Sequence, residues 1–122
     1  MKKLTKKEAI KLHRKLWNWV ADETLRLKRK VKKEEYFYRN HIDREDIPKN
    51  KCYCCEYDEQ KQDKCTNKSC KYCPISWGNR DNDCEKPSYY SEWNYAIDYK
   101  EAAEYARKIA NLSERKNYDN EE

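Results

Sequence analysis

A chain of 122 residues has room for one small domain, and its composition works against an aliphatic core: Leu, Ile, Val and Phe together number 15, while 42% of residues are charged. Four Trp, eleven Tyr and seven Cys supply what the aliphatics do not, namely large buried area per side chain and a covalent or metal staple. The net charge of +5 is uneven, +9 over residues 1–51 and −4 over residues 52–122, and no run is apolar enough for a membrane span or a signal peptide. These features argue against membrane association and lead to the expectation of a cytoplasmic protein, where a cysteine cluster binds metal more often than it forms disulfides.

In chain order, Thr5-Lys6-Lys7-Glu8 reads as a capping box that opens a helix running without Gly or Pro to about Val31. At 100° per residue, Ala9, His13, Leu16, Val20, Leu27 and Val31 share one stripe, with Ile10 and Trp17 on one shoulder and Leu12 and Trp19 on the other. The opposite face carries Lys11, Arg14, Lys15, Arg26, Arg29, Lys32 and Lys33. Such a face is either ordinary solvated helix surface or a grip for phosphates, with Trp19 available for stacking. "KKEEYFYRNHID" follows as a second helical segment or turn presenting Tyr36, Phe37 and Tyr38 to the core, and "REDIPKNK" is a loop. Residues 52–84 hold every cysteine and the single Gly78, with little periodicity, so irregular structure is expected, with a short hairpin as an option between Cys52 and Cys73. A short helix is expected from Ser88, and Asp98-Tyr99-Lys100-Glu101 reads as a second capping box for a helix over Tyr99 to Leu112. Its small alanines permit close approach to the first helix. The resulting division is a helical basic part (1–47), a cysteine-rich centre (48–87), C-terminal helices (88–112) and a polar tail (113–122), all within one domain.

Cys52/Cys55 and Cys70/Cys73 each have the C-x-x-C spacing, with fourteen residues between the pairs. Two residues between thiolates let a tight turn aim both sulfurs at one ion, and two such turns close a tetrahedron with Zn–S bonds of about 2.3 Å. Cys52, Cys55, Cys70 and Cys73 are therefore the expected ligands of a structural Zn²⁺, with Cys84 as an alternate or extra ligand. Cys54 would point away from an ion held by its neighbours and reads as packed, and Cys65 has no assignment. Lys51, Lys64, Lys68 and Lys71 flank the thiols and could balance their charge. A catalytic zinc keeps an open position and recruits His or carboxylate, yet the two histidines stand apart, His13 in the apolar stripe and His41 in "RNHID" near Asp43. With one Gly, no phosphate cradle is possible. The chain reads as non-catalytic, with no small-molecule substrate.

The segments "LHRKLWNWVADET", "KKEEYF", "CYCCEYD", "CKYCPISWG", the late Cys84, "YYSEW" and "AAEYARKIANLSE" together resemble small cysteine-rich proteins encoded by phages and prophages of Gram-positive bacteria. The most specific parts are the L-x-x-L-W-x-W helix, C-x-x-C-E-Y and C-x-x-C-P-I-x-W. In that group the recurrent cysteines match Cys52, Cys55, Cys70, Cys73 and Cys84. The resemblance implies a phage accessory protein acting in the host cytoplasm, with a metal-stapled core and no activity to carry over. The expected fold is thus mainly α, a long N-terminal helix and C-terminal helices packed on a zinc-stapled irregular centre. The expected function is binding to a host protein, such as inhibition of a bacterial antiphage defence complex in the manner of an anti-CRISPR. The alternative is a nucleic-acid-binding protein that uses Lys11, Arg14, Lys15, Arg26, Arg29, Lys33 and Trp19.

Overall fold

The computed structural model describes residues 3–61, 72–78, 84 and 87–115. Among them are five α-helices: α1 (Lys6–Leu27), α2 (Lys33–Arg39), α3 (Tyr53–Lys61), α4 (Tyr89–Tyr95) and α5 (Tyr99–Ala110), with a 3-10 turn at Arg44–Asp46 between α2 and α3. The mainly helical expectation holds. The described residues contain no strand; α3 occupies the first part of the segment where a hairpin was an option, and the one bridge pairs Ile75 with Glu114.

Thr5 opens α1 as its residues dictate, its hydroxyl accepting the Glu8 N–H at 3.1 Å while the Glu8 carboxylate accepts the Thr5 N–H at 2.9 Å. The helix stops four residues before Val31 because Lys28 turns left-handed (φ 56°) and the Thr24 hydroxyl accepts the Val31 N–H at 3.1 Å. A buried threonine thus gives the backbone a partner outside the helix, a competition that local periodicity does not reveal. Val31 still reaches the core, fully buried beyond the helix end, whereas Leu27 remains half-buried.

Packing of α5 along α1 forms the centre of the molecule. Ala9, His13, Leu16 and Val20 face Ala102, Ala106, Ile109 and Ala110, all buried, and the alanines let the two backbones come close. α5 begins at Tyr99 as the pattern demands, but the Asp98 side chain makes no capping bond, so the expected second box is not closed. A box does close at α4, where the Ser88 hydroxyl accepts from Ser91 N–H and the Ser91 hydroxyl accepts from Ser88 N–H.

α3 corrects the expectation of irregular structure. Tyr53, Cys54, Tyr57 and Asp58 are its buried residues, at i, i+1, i+4 and i+5, which is one face of a helix even though the segment is too polar for its periodicity to stand out. Gln60 fixes α3 against the start of α1, donating to the Leu4 carbonyl at 3.0 Å and accepting the Leu4 N–H at 2.9 Å. Buried Asp58 accepts the Tyr72 N–H at 2.5 Å and so ties the return segment to the helix. That segment then pairs with the chain beyond α5, through Ser76 N–H to the Ser113 carbonyl at 2.9 Å and Arg115 N–H to the Pro74 carbonyl at 2.8 Å. Residues 113–115 are therefore structural rather than part of the tail.

Aromatics complete the core. Trp93 meets Trp17 edge-on at 4.9 Å and stacks with Tyr90 at 5.8 Å, and Trp77 meets Tyr90 edge-on at 6.2 Å. Tyr36 and Phe37 turn inward from α2, but Tyr38 is 65% exposed, because three consecutive helical residues span about 200° and cannot share one buried face.

Candidate functional site

Cys52 immediately precedes α3 and Cys55 lies in its first turn, which brings the two side chains to the same end of the helix. The Cys52 sulfur accepts the Cys55 N–H at 3.2 Å. This bond takes the place of a hydroxyl or carboxylate cap and fixes the turn that C-x-x-C spacing anticipates. The Cys55 thiol hydrogen-bonds to both Cys52 and Cys84, and the latter stands just before α4, where its carbonyl accepts from the Ser88 hydroxyl at 2.8 Å. Three of the expected or alternate ligands thus form a contact chain, Cys52–Cys55–Cys84, between the starts of α3 and α4.

Proton affinity within this chain is unequal. The Cys55 thiol, together with the Lys33 ammonium and the Cys55 N–H, holds Cys52 below the usual thiol range in spite of burial. Hydrogen bonds to Cys52 and Cys84, with burial, push Cys55 well above it.

Cys54 and Cys73 are a second pair, both buried, with their side chains in hydrogen-bonding contact; burial and Cys73 raise the Cys54 thiol. Cys73, expected as a ligand with Cys70, therefore faces Cys54, and Cys54 is packed as expected. Cys65 and Cys70 lie outside the described residues, as do Lys64, Lys68 and Lys71. Among the described residues no group of three or more Cys, His, Asp or Glu side chains is arranged to hold a metal ion. Among the described residues the donors of this chain are thiols, the soft kind that Zn²⁺ accepts.

Among the described residues, Lys33 feels the charge of these thiols. Its ammonium lies 5.1 Å from the centre of the Tyr90 ring and 3.5 Å from the Asn50 carbonyl. Burial pulls its pKa down, but the charge of Cys52 and the Tyr90 hydroxyl outweigh burial and raise it. Sequence reasoning looked for this cation next to the cysteines, at Lys51, Lys64, Lys68 and Lys71. It missed Lys33 because nothing local signals that the start of α2 folds over the start of α3.

The basic residues of the candidate binding face do not form one stripe. Arg26 binds Glu23 at 2.6 Å, Arg39 binds the same carboxylate at 2.5 Å, and Arg29 binds Glu35 at 3.0 Å. These bonds hold the Glu23 carboxyl down at about 2, with the Arg26 hydrogen bond contributing most. Trp19 is half-buried, edge-on to Tyr36 at 5.5 Å with the Arg39 guanidinium 5.0 Å above its ring. Lys11, Arg14 and Lys15 are exposed together on the N-terminal half of α1.

Neither histidine stands in a site of converging groups. His13 is 2% exposed, with Nε2 2.9 Å from the Ile109 carbonyl. A carbonyl only accepts, so Nε2 carries the proton and donates it to this backbone oxygen. Burial holds the imidazole pKa down at about 4, which keeps the ring neutral at physiological pH. His41 sits in a left-handed turn (φ 55°), exposed beyond α2.

The most exposed large apolar side chains are Tyr95 at 81% and Ile97 at 96%, on the corner between α4 and α5. Lys30 braces this corner, donating to the Asn94 carbonyl at 2.8 Å and the Ala96 carbonyl at 3.4 Å while its ammonium lies 4.7 Å from the Trp93 ring centre. Sequence reading missed this corner, since a single exposed Ile in a short loop carries no pattern.

Comparison with protein-family models, with curated proteins and with solved structures found no match to this chain. Among the described residues, no helix is long and apolar enough to cross a membrane.

Proposed function

We propose that the protein is a non-catalytic binding module, stapled by Zn²⁺, that acts on another protein as a phage accessory factor directed at a bacterial antiphage defence complex. The observation that carries the protein-binding reading is the braced corner at Tyr95 and Ile97. Exposed apolar side chains cost little to desolvate, and a backbone already held by Lys30 loses little freedom on docking. Zinc is supported by the Cys52–Cys55–Cys84 contact chain. A tetrahedral site would need one more donor. The test is affinity capture from phage-infected host lysate with the full chain and a Tyr95→Ala/Ile97→Asp variant. A partner retained by the wild type and lost with the variant supports the reading; identical recoveries contradict it.

A second reading, binding of DNA or RNA, rests on the exposed group Lys11, Arg14 and Lys15. It loses Arg26 and Arg29, which are engaged with carboxylates, and Lys33, whose ammonium lies at the Asn50 carbonyl and over the Tyr90 ring. A mobility shift at about 50 mM salt that fades toward about 200 mM would support it; no shift at low salt removes it.

A further inference from the structure

α4 and α5 are joined at the Tyr95–Ile97 corner, and at the other end of this helix pair the start of α4 and the last turns of α5 enclose a groove of about 630 Å³. Tyr89, Glu104, Arg107, Lys108, Asn111 and Leu112 line it. Tyr89 is 40% exposed, with its ring 6.2 Å from that of Tyr105 and the Lys108 ammonium within 5.4 Å of both ring centres. Lys108 also pairs with Glu104 at 3.4 Å.

The packing of α5 along α1 sets this groove beside the basic half of α1. Arg14 donates to the Leu112 carbonyl in the groove wall at 3.4 Å. Arg107 reaches the other way, donating to the Asn18 side chain at 2.6 Å and pairing with Asp22. Lys11 and Lys15 are exposed on either side of Arg14, about 6 Å apart along the helix axis. Among the described residues neither lysine is held in an ion pair. Charge alone does not choose between a duplex and a single strand, because both present phosphates. The groove does, since an aromatic ring beside cations is a stacking platform for an unpaired base. A duplex keeps its bases in the stack, out of the groove's reach. Asn111 and Glu104 add polar groups that a base edge can meet. An acidic peptide would match the charge, but its carboxylates would leave Tyr89 unused.

We infer that this groove and the adjoining face of α1 form one site for single-stranded nucleic acid, an unpaired base entering the groove against Tyr89 while the flanking phosphates lie along Lys11, Arg14 and Lys15. The inference rests on the nucleic-acid reading above and adds to it the form of the strand and the residue that recognises it. It does not use the Tyr95–Ile97 corner.

The experiment measures binding to the full chain by fluorescence anisotropy at about 50 mM salt. The probes are a labelled oligothymidylate of about 15 nucleotides and a DNA duplex of the same length. The proteins are the wild type, Tyr89→Ala, Tyr89→Phe and the double variant Lys11→Gln/Lys15→Gln. The expected result is that the wild type binds the single strand on the order of 10-fold more tightly than the duplex, and that Tyr89→Ala loses this preference with no loss on the duplex. Tyr89→Phe, which keeps the ring, retains wild-type affinity. The double lysine variant weakens both probes and flattens the salt dependence. Equal affinity of wild type and Tyr89→Ala for the single strand overturns the inference while leaving the nucleic-acid reading standing, and so does equal binding of strand and duplex by the wild type. Displacement of the strand by oligoglutamate as effectively as by unlabelled oligothymidylate also overturns it, since charge alone would then suffice. If the wild type binds neither probe, the nucleic-acid reading itself falls, and this inference with it. Should Tyr89→Ala fail to fold by circular dichroism, Tyr89→Leu replaces it under the same criteria.

Discussion

The α1–α5 pair and the thiol-bearing region at the starts of α3 and α4 are built on different physics. The first packs Leu16, Val20, Ala102, Ala106 and Ile109 at full burial, and its helices are specified by apolar spacing and alanine. The second packs polar and aromatic side chains around Cys52, Cys55 and Cys84, held by the Asp58–Tyr72 bond, Lys33 and a sulfur cap. Hydrophobic burial needs no partner beyond the chain, whereas a cluster of thiols close enough to hydrogen-bond to one another gains most when an ion takes their protons. One half of the molecule is thus complete in itself, and the other is the half that the proposed ion would complete.

The sharpest way to break this contrast is to remove the ligand. Structural zinc is worth about 10 kcal/mol of binding free energy in small domains, so Cys55→Ser should destabilise the holo-protein more than any single core truncation. It should also abolish the effect of a chelator on the urea midpoint. An unchanged midpoint in Cys55→Ser would remove the distinction between the two regions.

Next in size is Leu16→Ala, which empties a site only 1% exposed and should cost about 2–5 kcal/mol. Because it strikes the self-sufficient half, the loss should be the same with metal bound or chelated, as read by paired urea titrations.

pH sharpens the comparison from the α1–α5 side. His13 is buried with a pKa of about 4 against 6.5 in the unfolded chain, so between those values the unfolded state binds more protons. Stability should therefore be undiminished above pH 6.5 and fall as pH drops toward 4, by about 3 kcal/mol from this group. His13→Asn, which has no proton to gain, should flatten that part of the profile in metal-chelated protein. A wild-type slope that persists in the variant would assign the loss to other groups.

The smallest expected effect is at the helix start. Thr5→Ala removes the hydroxyl that accepts the Glu8 N–H and should cost about 1 kcal/mol, visible as earlier amide exchange in the first turn of α1 with no change in metal affinity.

The same division explains what the sequence could disclose. The stripe from Ala9 to Val20, the Thr5 box and the helix from Tyr99 are legible because helical packing repeats every turn and writes itself into local spacing. The early end of α1 is not, since it depends on which way the Thr24 hydroxyl turns. Nor was α3, whose buried Tyr53, Cys54, Tyr57 and Asp58 combine aromatic, thiol and carboxylate groups that no hydrophobic pattern unites. For the candidate site, C-x-x-C spacing anticipates the turn in which the Cys52 sulfur accepts the Cys55 N–H, because that geometry is local. The approach of Cys84 and Lys33 is tertiary, and so is the pairing of Arg26 and Arg29 with carboxylates, which divides a face that sequence shows as one basic run.

On the proposed reading, the thiol region is completed by a bound ion. It is tested most directly by metal analysis, with thiol counting, of the full chain purified from cells without added zinc. The account predicts about one Zn²⁺ per chain and protection of Cys52, Cys55 and Cys84 from alkylation until a chelator is added. A metal-free, folded protein in which these three cysteines alkylate equally with and without chelator would contradict it.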